Sequence, residues 1–166
     1  MRAVRQARQR ARWLALWLAL ATLPAAGQAV MQPGAWELHT VMTAQDPEDG
    51  KPVKLGETTR KNCLTKEFLA RDLYLSPASD EQKMRERGAK CTVSEVKRSD
   101  FSASWRMVCE LADGSRLDMA IRNTVSRHEL HSELKQLVTR EGRDIPMQIV
   151  AKARFVGACG DDGGRK

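Results

Sequence analysis

The chain has 166 residues, with 28 lysines and arginines against 21 aspartates and glutamates, a formal net charge of +7. Five arginines, Arg2, Arg5, Arg8, Arg10 and Arg12, crowd the first 12 residues; without them 23 basic residues face 21 acidic ones, net +2. Those remaining charges are mixed in sign, which excludes a basic nucleic-acid-binding surface.

The arginine-rich start leads into the apolar run Trp13–Leu23 and then small residues at Gly27 and Ala29. This is the three-part layout of a secretory signal peptide, so residues 1–29 are expected to be removed after Ala29 and the protein to lie in the periplasm. The run has 11 residues, short of the roughly 20 that span a bilayer, and no membrane span is expected after cleavage. Residues 30–159 are expected to form a single β-rich domain and 160–166 a disordered tail. Cys63, Cys91, Cys109 and Cys159 all survive cleavage. An even count in a small exported domain reads as two disulfides. A zinc site of four thiolates would call for close C-x2-C pairs, which are absent, so no metal is expected.

In residues 33–42, Trp36, Leu38, Thr40 and Met42 share one side and Glu37 and His39 the other. That two-residue period predicts a strand, entered through Pro33-Gly34. Residues 44–52 have loop composition, and 53–64 resume a weakly extended pattern. Thr65 then caps a short helix of about two turns carrying Phe68, Leu69 and Leu73, stopped by Ser76-Pro77. Residues 79–88 predict a second helix, with acids early, bases late and Gly88 past its end.

Residues 91–109 read as a hairpin turning at Ser99-Asp100. Phe101, Ala103, Trp105, Met107, Cys109 and Leu111 form its buried face. After the Asp113-Gly114 turn, Leu117, Met119, Ile121 and Val125 mark another strand. Residues 126–138 carry two signals. Ser126 and Glu129 fit a helix capping box, and Leu130, Leu134, Leu137 and Val138 fit helical spacing; the position between two strands favours a strand. Residues 145–159 alternate again, with Ile145, Met147, Ile149, Ala151, Ala153, Phe155 and Cys159 on one face.

Four motifs in this order resemble domain-of-unknown-function family 3617, small exported proteins of Gram-negative bacteria. They are Pro33-Gly34-Ala35-Trp36-Glu37; Cys63-Leu64-Thr65 before a helical insert; Cys91 to Cys109 around Ser104-Trp105-Arg106; and Ala153-Arg154-Phe155-Val156-Gly157-Ala158-Cys159. The resemblance spans nearly the whole mature chain. It implies a mostly antiparallel β domain and a strand over residues 127–139, and it brings no established activity. The fold class expected is thus mainly β: one antiparallel, curved, half-barrel-like meander with a short helical insert and two disulfides.

Two disulfide pairings compete. Cys63–Cys91 would close the helical insert and Cys109–Cys159 would pin the last strand to the hairpin; this pairing is the one expected, with Cys109 and Cys159 both pointing inward. The rival, Cys91–Cys109, needs a hairpin register centred on Asp100, which one slipped residue removes.

No Gly-x-Ser-x-Gly elbow, carboxylate pair or phosphate-binding loop is present, and no catalytic residue or cofactor is expected. His128 and His131 are the nearest approach to a metal pair. On a strand, positions three apart point to opposite faces, so only a helix would let them act together in a metal-dependent protein or hydrolase. The other reading is a non-catalytic protein, either structural or binding an apolar small molecule or an envelope protein on a face formed by Trp36, Trp105, Met107, Met119 and Met147. Methionine suits variable apolar ligands; the same residues also suit an ordinary core.

Overall fold

Period-two segments dominate the described residues, and seven of them pair into one antiparallel sheet. The computed structural model describes residues 30–46, 48–71, 73–140 and 142–160; the expected leader, residues 1–29, and all but the first residue of the expected tail lie outside them. The elements are β1 (Gly34–Gln45), β2 (Pro52–Leu64), α1 (Lys66–Leu69), α2 (Ala78–Glu86), β3 (Lys90–Arg98), β4 (Ser102–Glu110), β5 (Arg116–Val125), β6 (Glu129–Arg140) and β7 (Arg143–Gly157). The strand order is β2-β1-β7-β6-β5-β4-β3. The sheet stays open, with β2 and β3 as its two edges.

Register places the apolar side chains on a single face, because directly opposed residues share a side. Ala44, Met147, Gln136, Met119, Met107 and Val93 are successive partners from β1 across to β3. The next row is Met42, Ile149, Leu134, Ile121 and Trp105. Trp36 opposes Phe155, and their rings meet edge-on at 6.0 Å. The other face carries the charges, among them Arg154 bonded to Glu37 at 2.7 Å and Arg106 to Asp118 at 2.6 Å.

The helical insert joins the two edges of the sheet. β2 ends at Leu64 and β3 starts at Lys90, so residues 65–89 must cross six inter-strand spacings, about 29 Å at roughly 4.8 Å each. They do so over the apolar face: Leu69, Leu75, Met84 and Ala89 join Trp36, Trp105 and Met107 in one core. Thr65 caps α1 as expected, its hydroxyl accepting the Phe68 N–H at 3.1 Å. The helix lasts four residues rather than two turns, because the crossing strap spends its length in turns. Asn123 on β5 ties the strap down, its amide donating to the Tyr74 carbonyl at 2.7 Å.

Residues 129–140 are strand, paired on both sides. The helical cap signal has a different use. Ser126 Oγ accepts the N–H groups of His128 and Glu129 at 3.3 and 3.0 Å, and Ser126 N–H donates to the Glu129 carbonyl at 2.8 Å. Serine offers the same oxygen to a turn as to a helix N-terminus, and here it forms the turn between β5 and β6.

The disulfides are Cys63–Cys159 and Cys91–Cys109, which overturns the expected pairing of Cys63 with Cys91 and of Cys109 with Cys159. The strap explains why. Cys63 and Cys91 sit at its two ends, on opposite edges of the sheet, and cannot meet. Cys63 instead faces Ala35 on β1, which faces Gly157 on β7, leaving Cys159 two residues away. Cys159 accordingly lies past the end of β7 and is exposed rather than inward. Phe101 also departs from expectation: it belongs to the β3–β4 turn, not the strand, and is 61% exposed.

Candidate functional site

The strap does not cover the apolar face evenly. Over β4 and β5 it seals Ala103, Trp105, Met107, Cys109, Met119, Ile121, Asn123 and Val125. Of the five expected ligand-face residues, Trp36 and Met107 are 1% exposed, Trp105 2% and Met119 6%. They stand under the strap, in the core. Met147 is only half-buried, as are Met42, Leu134, Val138 and Ile149 near it on the same face. At the outer end of that corner Ile145 and Val53 are each 44% exposed. An uncovered apolar corner therefore runs over β1, β7 and β6. Its outline depends on where the strap crosses, which no local sequence pattern sets.

Two buried polar atoms lie under the covered half. Trp105 Nε1 and Asn123 Oδ1 have no hydrogen-bond partner. They belong to neighbouring strands on the same face.

A groove of about 930 Å³ opens between the strap, the residues leading into β1 and the turns at one end of the sheet. Phe68, Leu73 and Tyr74 line it from the strap, Val30 and Met31 from the lead-in, and Arg98, Asp100, Phe101, Val125 and Arg127 from the turn end. The Phe68 and Tyr74 rings tilt together at 6.2 Å, and burial pushes the Tyr74 phenol pKa up. No single stretch of sequence announces this groove, since its walls come from four separate segments.

The polar face has a hollow of about 950 Å³ that runs from Thr43 on β1 to Lys97 on β3. Its charges answer one another. Arg106 forks onto Asp118, Nε to Oδ1 at 2.9 Å and Nη2 to Oδ2 at 2.6 Å, with Glu95 at 3.7 Å from Nη1. The hydrogen bond from Arg106 holds the Asp118 carboxyl below its ordinary pKa. Lys135, 3.3 Å away, does the same for Glu133.

The strand structure separates the two histidines. His128 lies in the β5–β6 turn, its ring against Phe155 at 5.6 Å and its Nε2 at 3.0 Å from Gln32 Oε1. His131 is on β6 opposite Lys152, on the polar face. Among the described residues no group of three or more His, Cys, Asp or Glu is placed to hold a metal ion, and no helix is long and apolar enough to cross a membrane.

These features define an open antiparallel sheet braced by two disulfides and strapped over one face. The family described as protein of unknown function (DUF3617) matches residues 31–159, and the chain belongs to that family. No curated protein and no solved structure matches it.

Proposed function

We propose that this chain is an exported, non-catalytic protein of the periplasm that binds an apolar small molecule or an apolar segment of an envelope protein on the uncovered corner of its sheet. The observation that carries the reading is the uneven cover: Met42, Leu134, Met147 and Ile149 are only partly buried on the face whose other half is sealed. An antiparallel sheet with one apolar face buries it under helices, by curling or under a partner, and the strap supplies only part of that cover. Two disulfides and the leader-like first 29 residues support export.

The test has two arms. N-terminal sequencing of the native protein should find Val30 at or near the start; Met1 retained on a membrane-bound form overturns export. Titration with an apolar fluorescent probe should give saturable binding that Met147→Asp weakens while the sheet stays folded. Absence of saturable binding, or binding indifferent to Met147→Asp, overturns the site.

A further inference from the structure

The two edges of the sheet are not alike. β3 is broken by a bulge between Ser94 and Lys97, which interrupts the row of outward backbone groups that another strand would need. β2 has a shift near its start, opposite Met42 and Thr43, but from Gly56 to Leu64 it pairs with β1 without a break. It stands at the end of the strand order, and every residue from Pro52 to Cys63 is exposed. Its outer side presents an unbroken row of N–H and C=O groups that no strand among the described residues takes up. Charge decides what can lie against that row, because directly opposed residues of an antiparallel pair meet on one side. Consider a second copy laid against the first in a two-fold arrangement. Centring the pair on Glu57, Arg60 or Lys61 sets that residue against itself, like charge on like. Centring it on Thr58 opposes Glu57 to Thr59 and Gly56 to Arg60, with no ion pair. Centring it on Thr59 opposes Glu57 of each copy to Lys61 of the other, twice over, with Thr58 against Arg60 and Gly56 against Asn62. The side chains are ready for that register. Among the described residues Lys61 makes no ion pair: it faces Glu37 on β1, whose carboxylate Arg154 holds at 2.7 Å. His39 on β1 fixes both Glu57 and Thr59, its Nε2 3.1 Å from Glu57 Oε1 and its Nδ1 3.1 Å from Thr59 Oγ1. Glu57 also bonds Lys54, and an ionised carboxylate, with about four lone-pair sites, has room for a further cation.

We propose that β2 is the interface of a symmetric dimer, two copies of this chain joined edge to edge through residues 56–62 with Thr59 on the two-fold axis. Such an interface is isologous, the same patch serving both copies. Backbone hydrogen bonds between the two β2 strands supply the attraction, and the side chains choose the register. The Glu57–Lys61 pairs favour one alignment while like charges disfavour its neighbours. The axis stands perpendicular to the sheet, so both strapped faces look the same way and the uncovered corner of each copy stays open.

The experiment follows the mature protein, both disulfides intact, by sedimentation velocity. It should be a dimer at about 100 μM and dissociate on dilution, as a micromolar Kd requires. Lys61→Glu and Glu57→Lys should each weaken self-association at least about tenfold, since each sets like charges opposite at two places. Mixed in equal amounts, the two variants should associate with each other, because each supplies the charge the other lacks. The double variant should dimerise like the wild type. Thr59→Cys should cross-link two copies under mild oxidation, and Thr58→Cys should not. All these positions are exposed, so the fold should survive each change. Met147→Asp lies on the uncovered corner and should leave the dimer intact, which keeps a failure of the corner distinct from a failure of the edge. Five results overturn the proposal: a monomer at every concentration, a dimer indifferent to both charge reversals, reversed variants that do not associate when mixed, cross-linking through Thr58→Cys alone, or a dimer lost only in Met147→Asp.

Discussion

Cys91 and Cys109 face each other across β3 and β4 with their Cα atoms 4.0 Å apart, and a bulge brings them there. Near the turn Arg98 pairs with Ala103 and Lys97 with Ser104; beyond the bulge Ser94 pairs with Arg106 and Cys91 with Cys109. Were Glu95 paired in a regular ladder instead of bulged, Cys91 would face Glu110. Glu95 in the bulge has φ 54°, the only non-glycine among the described residues with a positive value. Bulges of this kind re-aim side chains while leaving the rest of the ladder paired.

Deleting Glu95 should therefore remove the bulge and leave Ser94 opposite Arg106 and Cys91 opposite Cys109, with no thiol titrating under denaturing, non-reducing conditions. The intact protein should titrate none. Two titratable thiols in the deletion variant would show that the register is set elsewhere than at the bulge.

Non-reducing peptide mapping should recover Cys63 linked to Cys159 and Cys91 linked to Cys109. The first bridge spans 96 residues of sequence and the second 18. Longer closed loops restrict the unfolded chain more, so removing Cys63–Cys159 should cost about 4–5 kcal/mol and removing Cys91–Cys109 about 3 kcal/mol. Urea denaturation of the paired Cys→Ala variants measures both.

Gly34 opens β1 at φ 145°, and a Cβ there would lie 2.5 Å from the Gly157 carbonyl oxygen and 2.5 Å from Phe155 Cε2. Gly34→Ala should destabilise by on the order of 2–4 kcal/mol through backbone strain and overlap. A melting temperature unchanged from the wild type would refute this.

Asn123→Ala removes the bond that holds the Tyr74 carbonyl to the sheet. The expected loss is about 1–3 kcal/mol for a buried acceptor left unpaired. Amide exchange should speed up first in residues 66–86, while β5 and β6 keep their protection. Uniform acceleration across the sheet would mean that the bond supports the whole fold rather than the strap.

The Arg106–Asp118 fork makes stability depend on acid pH. Asp118 has its pKa lowered by folding, so the pair contributes fully above the unfolded carboxylate's value, near pH 4, and its contribution fades as the pH falls through the folded value. Asp118→Asn should melt below the wild type at pH 7 and low salt, and the two should converge as the pH falls below the folded carboxyl's lowered value. Equal melting at both pH values would assign the fork no stabilising role.

The strands were legible in the sequence because period-two alternation is local: Trp36, Trp105, Met107, Met119 and Met147 fall on one face as their spacing requires. The route of the strap was not legible, because it depends on which strands become edges. That one unknown accounts for the disulfide pairing, since Cys63 and Cys91 are near in sequence but lie at opposite edges. It also accounts for the sites. Whether Met107 is core and Met147 is open follows from where residues 65–89 pass, and no side-chain pattern encodes that path. Ser126 shows the converse: its hydrogen-bonding signal suits a helix cap and a strand turn alike, and its position between two strands decides for the turn.

The pairing of β1 with β7 joins the first strand made to the last one made. Trp36 cannot find Phe155, nor Ala35 its partner Gly157, until β7 has been made. A sheet completed in this way cannot be finished until residues 143–157 have joined it. The N-terminal hairpin waits with one side unpaired, and the final strand slots between it and β6. Completion of the sheet, and of the Cys63–Cys159 bridge that staples β2 to the segment after β7, thus waits on the arrival of β7.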